Sequence, residues 1–166
     1  MKHVPPRVSL RLLAADDARR VLAGLAVPGQ TWGREYPTFT EVDVLEALVH
    51  AHIPGVATSP FGQYQVEILD SATVIGGAGF LGPPDEFGAV QLDVQVIPDQ
   101  LGRGYEAEVV AQLILIAREH RARFVIATAD VTNPTAQDSL ARGGLDEIVR
   151  DDTTVHYGLE LADPGT

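Results

Sequence analysis

Gly102 and Gly104 form a Gly-x-Gly turn between a strand-like run that stops at Pro98 and a helical run that starts at Tyr105. A glycine turn opening a helix presents free backbone N–H groups and suits phosphate. Glu106 and Glu108 sit in the first turn of that helix and would repel it. The stretch therefore reads as an anion site, a weakened one, or a helix whose acids compensate its dipole. Just upstream, Gln91, Asp93 and Gln95 alternate onto one face of a strand, with Asp93 the only ionisable group of the three. Trp32, Glu35, Tyr36 and Phe39 form a second chemical cluster. Aromatic rings beside a carboxylate suit a cationic amine, and they equally suit ordinary core filling. His50 and His52 diverge at a helix end, so no metal site is expected.

These residues need elements to hold them. Strands are expected over Arg7–Leu13, Gln63–Leu69, Thr73–Leu81, Ala89–Ile97, Arg123–Ala129, Leu145–Val149 and Thr153–Leu161. Helices are expected over Asp16–Ala26, Glu41–His52, Tyr105–Ala122 and Asn133–Gly144. Asp16 or Asp17 would cap the first helix, and Thr40 with Asp43 would make a capping box for the second. The third helix is apolar all round its middle, which predicts burial on most sides. Arg123–Ala129 is continuously apolar, as in a strand covered on both faces. Gly76, Gly77 and Gly79 predict a bulge or the close approach of another backbone. Three antiparallel strands followed by a strand–helix–strand crossover give an α/β (α+β) fold with a mixed, mostly antiparallel sheet of about seven strands and about four helices.

The chain has 166 residues, 45% of them hydrophobic, no cysteine and a net charge of −11. This fits one globular domain over 1–166, with residues 160–166 as a flexible tail. The acidic balance argues against nucleic acid and favours solubility or cationic partners. Without cysteines, a signal-like N-terminus or a long apolar run, a cytoplasmic protein with no membrane partner is expected.

The order of elements, with "VIGGAGFLGPPDEFGAVQLDVQVIPDQLGRGYEAE" and "ATADVTNPTAQDSLARGGL", resembles the GNAT superfamily of N-acetyltransferases. It is most similar to the branch that acetylates ribosomal-protein N-termini and to its small-molecule relatives. The resemblance covers nearly the whole chain. It implies acetyl-CoA as co-substrate and a primary amine, small molecule or protein N-terminus, as acceptor. It also implies that a homodimer is possible. The diphosphate would lie on Leu101, Gly102, Arg103, Gly104, Tyr105 and Glu106, and the pantetheine arm along Val94, Gln95 and Val96, where two strands splay. Asn133 matches the family's cofactor-contacting Asn, and also reads as a plain helix cap. The family usually has Arg or Gln at position 101 and Ala or Gly at position 106. Leu101 and Glu106 therefore imply weakened diphosphate binding, and Arg103 a partial replacement of the lost charge.

Acetyl transfer needs a proton acceptor for the amine and a donor for the leaving sulfur. The family's strand Glu corresponds to Gln91, which cannot be a base. Asp93, on the same face, is the candidate, unless it is only a hydrogen-bonded strand residue. The family's acid positions correspond to Leu140 and Ala136, which leaves Ser139 and Tyr157 as substitutes. By the same resemblance Trp32, Glu35, Tyr36 and Gln91 would line the acceptor pocket. Two alternatives stand beside this reading: a non-catalytic protein that binds acyl-CoA or an amine, and a dinucleotide-binding module. The hairpin-linked strands before the glycine turn argue against the latter.

Overall fold

The computed structural model describes residues 4–162. Its elements run β1 (Val8–Leu12), α1 (Ala15–Leu22), β2 (Thr31–Trp32), α2 (Phe39–His50), β3 (Gln63–Ile68), β4 (Thr73–Phe80), β5 (Ala89–Val96), α3 (Tyr105–Glu119), β6 (Phe124–Asp130), α4 (Pro134–Gly143), β7 (Asp146–Arg150) and β8 (Thr154–Glu160). The strands form one 8-stranded sheet in the order β1-β3-β4-β5-β6-β8-β7, with β2 alongside β4. Pairing is antiparallel except at β2–β4 and β5–β6. The expected mixed sheet with four helices is therefore present. β2 is the eighth strand, two residues that carry no readable period.

Both expected helix starts shift. Ala14 precedes α1, and Asp17 reaches back to accept from its N–H at 2.8 Å. The box of α2 is Thr38 with Glu41: Thr38 Oγ1 accepts from the Glu41 N–H at 3.2 Å, two residues earlier than Thr40 with Asp43. α3 buries Val109, Val110, Leu113, Ile114 and Ala117 but leaves Leu115 exposed, so it is one-sided rather than buried all round. β6 also alternates: Val125, Ala127 and Ala129 are buried, while Ile126 is 42% exposed, so only one of its faces is covered.

The glycines of β4 answer to two demands. Ile75 is the extra residue of a bulge, since Val66 pairs with Gly76 and Glu67 with Val74. A side chain at position 76 would strike the Gln95 backbone, and one at 77 would strike the Glu41 carboxylate. The expected tail starts too early. Glu160 ends β8, and Leu161 is buried with its N–H donating to the Arg123 carbonyl at 2.8 Å. Residues 163–166 lie outside the described residues.

Candidate active site

β5 and β6 pair from Ala89↔Phe124 to Gln91↔Ile126 and then separate. Among the described residues, no strand pairs with the edge of β5 that faces β6 from Leu92 to Val96. A cavity of about 430 Å³ opens in the gap, between β5, the far end of β6, the start of α3 and one side of α4. Asp93, Val94, Gln95 and Val96 line it, as do Leu101, Glu106, Asn133 and Ser139. The fold thus brings together eight residues picked from the sequence.

At one end of the cavity the glycine loop leads into α3. Gly102 has φ 74° and Gly104 has φ 84°, left-handed geometry that glycine adopts without steric cost. Gly104 is the N-cap of α3 and offers no side chain there. The two first-turn acids have different surroundings. Glu108 is bound by Arg7, whose Nε donates to it at 2.5 Å and whose backbone N–H donates at 2.9 Å. Arg7 also donates to the Arg103 carbonyl at 3.1 Å and lies 4.6 Å from the centre of the Tyr105 ring. Glu108 is therefore neutralised in a tie to the residue just before β1. Glu106 is buried, 7% exposed. Its Oε1 accepts from the Gly102 N–H at 3.3 Å, and its Oε2 has no partner among the described residues. A carboxylate thus already uses one of the loop's amide donors.

On β5, Asp93 Oδ2 accepts from Gln95 Nε2 at 3.2 Å, so the two side chains form one unit on the cavity wall. On α4, Asn133 Oδ1 accepts from the Ala136 N–H at 3.1 Å, which makes Asn133 an N-cap at the cavity edge. Ser139 donates its hydroxyl to the Thr135 carbonyl at 2.9 Å, four residues back. Leu140 and Ala136 line the same wall without a hydroxyl, and Thr135 lines it beside them with one.

A family model, "Acetyltransferase (GNAT) domain", matches residues 7–146. The chain belongs to the GNAT acetyltransferase family. Among solved structures this GNAT domain is similar to the ribosomal-protein-S5-alanine acetyltransferase from Vibrio fischeri, with a TM-score of 0.63 and 14% identity over 97% of each chain. It is similar to a point mutant of the spermidine N-acetyltransferase SpeG from Vibrio cholerae, with a TM-score of 0.64 and 15% identity over 93% of this chain and 94% of that one. A Vibrio cholerae structure described as a ribosomal-protein-serine acetyltransferase gives a TM-score of 0.64 and 17% identity over 95% of each chain. At these identities the likeness is one of fold. No curated protein matches the sequence.

Four residues expected at the site fall elsewhere in this GNAT domain, and neither Gln91, on β5, nor Gly102, Arg103, Gly104 and Tyr105 of the glycine loop line the cavity. Tyr157 is a buried residue of β8, also outside the cavity; burial first, and the Glu147 carboxylate second, push its phenol pKa up. Trp32 and Tyr36 pack edge-on with centroids 5.2 Å apart, away from the cavity. The Tyr36 hydroxyl accepts from Gln65 Nε2 at 3.0 Å, and Trp32 Nε1 donates to Gln30 at 3.3 Å. Burial, with Glu41 nearby, raises the Tyr36 pKa. These aromatics are core filling around a polar network. Glu35 is exposed at a left-handed turn, φ 68°, and Phe39 is exposed at the start of α2. His50 turns its Nδ1 to the Glu46 carbonyl at 2.8 Å.

The sequence reading missed Glu41. It is 6% exposed, and its carboxylate lies against Gly77 of β4, which pairs with Gln95. Burial raises its pKa to about 7, against the pull of the Thr38 N–H and hydroxyl. Glu41, Gly77, Asp93 and Gln95 line one small cleft, separate from the large cavity. Two signals pointed to it: the Thr38-x-x-Glu41 spacing, and a glycine in the middle of a strand.

Proposed function

We propose that this chain transfers an acetyl group from acetyl-CoA to a primary amine, bringing both into one complex for direct attack. The observation that carries the proposal is the separation of β5 from β6 beyond Gln91, which leaves a lined cavity between the glycine loop and Asp93. The residues present fit this co-substrate. The unpaired edge of β5 at Val94–Val96 would hold the amide-bearing arm. Backbone N–H groups of the loop, residues 101–106, at the N-terminus of α3 would hold the diphosphate, after Glu106 yields the Gly102 N–H. Asn133 would border the same cavity. Acetyl-CoA would supply an activated thioester. Asp93 would draw a cationic amine to that end of the cavity, and the net charge of −11 favours such a partner weakly and over short range in salt. Ser139 is one of two hydroxyls on the α4 wall, with Thr135, and could serve the leaving sulfur once released from the Thr135 carbonyl. The acceptor class spans the two kinds named for the solved relatives, spermidine and a ribosomal-protein alanine.

A second reading is favoured by Glu106. A buried carboxylate on the loop N–H, with leucine and alanine on the α4 wall, suits a protein that binds an acyl-CoA or an amine without turnover. Titration calorimetry with acetyl-CoA, followed by thiol release on a panel holding spermidine and an alanine-ended peptide, separates the two. Binding with turnover is the expected result. Binding without turnover on any amine supports the second reading, and absence of binding rejects both acetyl-CoA readings.

A further inference from the structure

We infer that Glu41 is the terminal proton acceptor for the attacking amine, reached through the small cleft behind Asp93 and Gln95. The inference rests on the acetyl-transfer reading above. Asp93 and Gln95 line both the large cavity and the small cleft, so this pair is the one wall that stands between the two among the described residues. The cleft measures about 10 Å³, the least that admits one water, and Glu41, Gln63, Tyr64, Asp93 and Gln95 offer that water polar partners among apolar side chains. One water is an accepted distance for proton transfer to a base. Gly77 is the other half of the device. It pairs with Gln95, and any larger residue there would occupy the place of the Glu41 carboxylate.

In the step proposed, the neutral amine nitrogen attacks the thioester carbonyl carbon. A C–N bond forms, the C–S bond breaks, and its electron pair leaves on sulfur. The proton shed by nitrogen passes through the cleft to a Glu41 oxygen, turning carboxylate into carboxylic acid. Asp93 holds the amine in place and keeps its hydrogen bond from Gln95.

The ionisable groups around Glu41 suit this task. Asp93 faces it from β5 and Tyr64 from β3. Tyr36 stands close on the loop before α2, with its phenol pKa raised, and Arg11 of β1 adds its charge nearby while paired to Asp17. The facing stretch of β4 is glycine and alanine. Burial in this setting leaves Glu41 ionising at about 7, where a base works best near neutral pH.

The test is kcat against pH for the full-length wild type, Glu41→Gln and Asp93→Asn, with acetyl-CoA affinity measured in parallel. Glu41→Gln should lower kcat about 100-fold or more and abolish the rise of activity through neutral pH, with acetyl-CoA affinity unchanged. Asp93→Asn should raise KM for the amine and keep that rise. Glu41→Asp should recover part of kcat, a result that a capping role alone would not give. If Glu41→Gln keeps kcat within about twofold, or keeps the pH limb, Glu41 is only a cap and the inference fails. If Asp93→Asn alone loses the limb, the acceptor is Asp93. If the wild type binds acetyl-CoA but acetylates no amine, the acetyl-transfer reading falls first and Glu41's role with it.

Discussion

Glu41 and Glu106 are the same residue type, each in the first turn of a helix and each more than nine-tenths buried. On general grounds both stabilise their helices through the dipole. Their surroundings separate them. Glu41 turns back on its own N-cap, where the Thr38 N–H and hydroxyl approach its Oε2 at 3.4 and 3.5 Å, and it lies over a glycine in the closed face of the sheet. Glu106 reaches out of its helix to the Gly102 N–H, and its second oxygen is buried with no partner among the described residues, in a side chain that lines the large cavity. A first-turn glutamate says little by itself. What decides its use is which group takes its second oxygen. At α2 the arrangement gives a carboxylate poised to change its proton; at α3 it gives one that competes with an anionic ligand.

The largest effect expected from this contrast is on stability against pH. Folded Glu41 holds its proton up to about 7, against an ordinary value of 4.5, so the native state binds more protons than the unfolded chain between those values. Stability therefore falls as pH rises through that window, and the cost is complete above about pH 7. Glu41→Gln removes the cost, which is on the order of 3 kcal/mol. Denaturant titrations of the two proteins should agree near pH 5 and diverge in favour of the variant by pH 8. Parallel curves would mean that Glu41 ionises normally and that the comparison with Glu106 has no basis.

The next effect tests the glycine opposite. Gly77→Val places carbon where the Glu41 carboxylate lies, and overpacking of this kind costs about 1–3 kcal/mol. Thermal unfolding should register that loss, and Glu41→Ala in the Gly77→Val background should restore part of it. Simple addition of the two single-variant losses would show that the residues do not meet. The smallest effect lies at the other glutamate. Glu106→Ala frees the Gly102 N–H and removes a negative charge from the helix N-terminus, so acetyl-CoA should bind about 2–5-fold more tightly. Weaker binding would mean that Glu106 itself contacts the ligand.

Much of this was readable in the residues. The alternation of Gln91–Gln95, the glycine turn and the Asn133–Pro134 start placed β5, α3 and α4 and hence three walls of the cavity. Tertiary pairing was not readable. Trp32 and Tyr36 look like a cation box in sequence, but Gln30 and Gln65 tie them into the core. Thr40 with Asp43 has the same spacing as Thr38 with Glu41, and spacing alone cannot choose between them. Glu41 escaped notice because its burial depends on Gly77, a residue of another strand, and a capping glutamate is expected to be exposed. The apolar run of β6 misled for a similar reason: it records hydrophobicity, not how many faces are covered.

The proposed acetyl-CoA site is the gap between β5 and β6 with its glycine loop. Titration calorimetry of acetyl-CoA into the wild type and into Gly104→Val tests it most directly. Position 104 has φ 84°, with Arg7 Nη2 3.1 Å from where a side chain would start, so valine there distorts the loop and closes its approach. One-to-one binding in the wild type that is lost in Gly104→Val is the predicted result. Equal affinity in the two proteins, or no binding to the wild type, would contradict it.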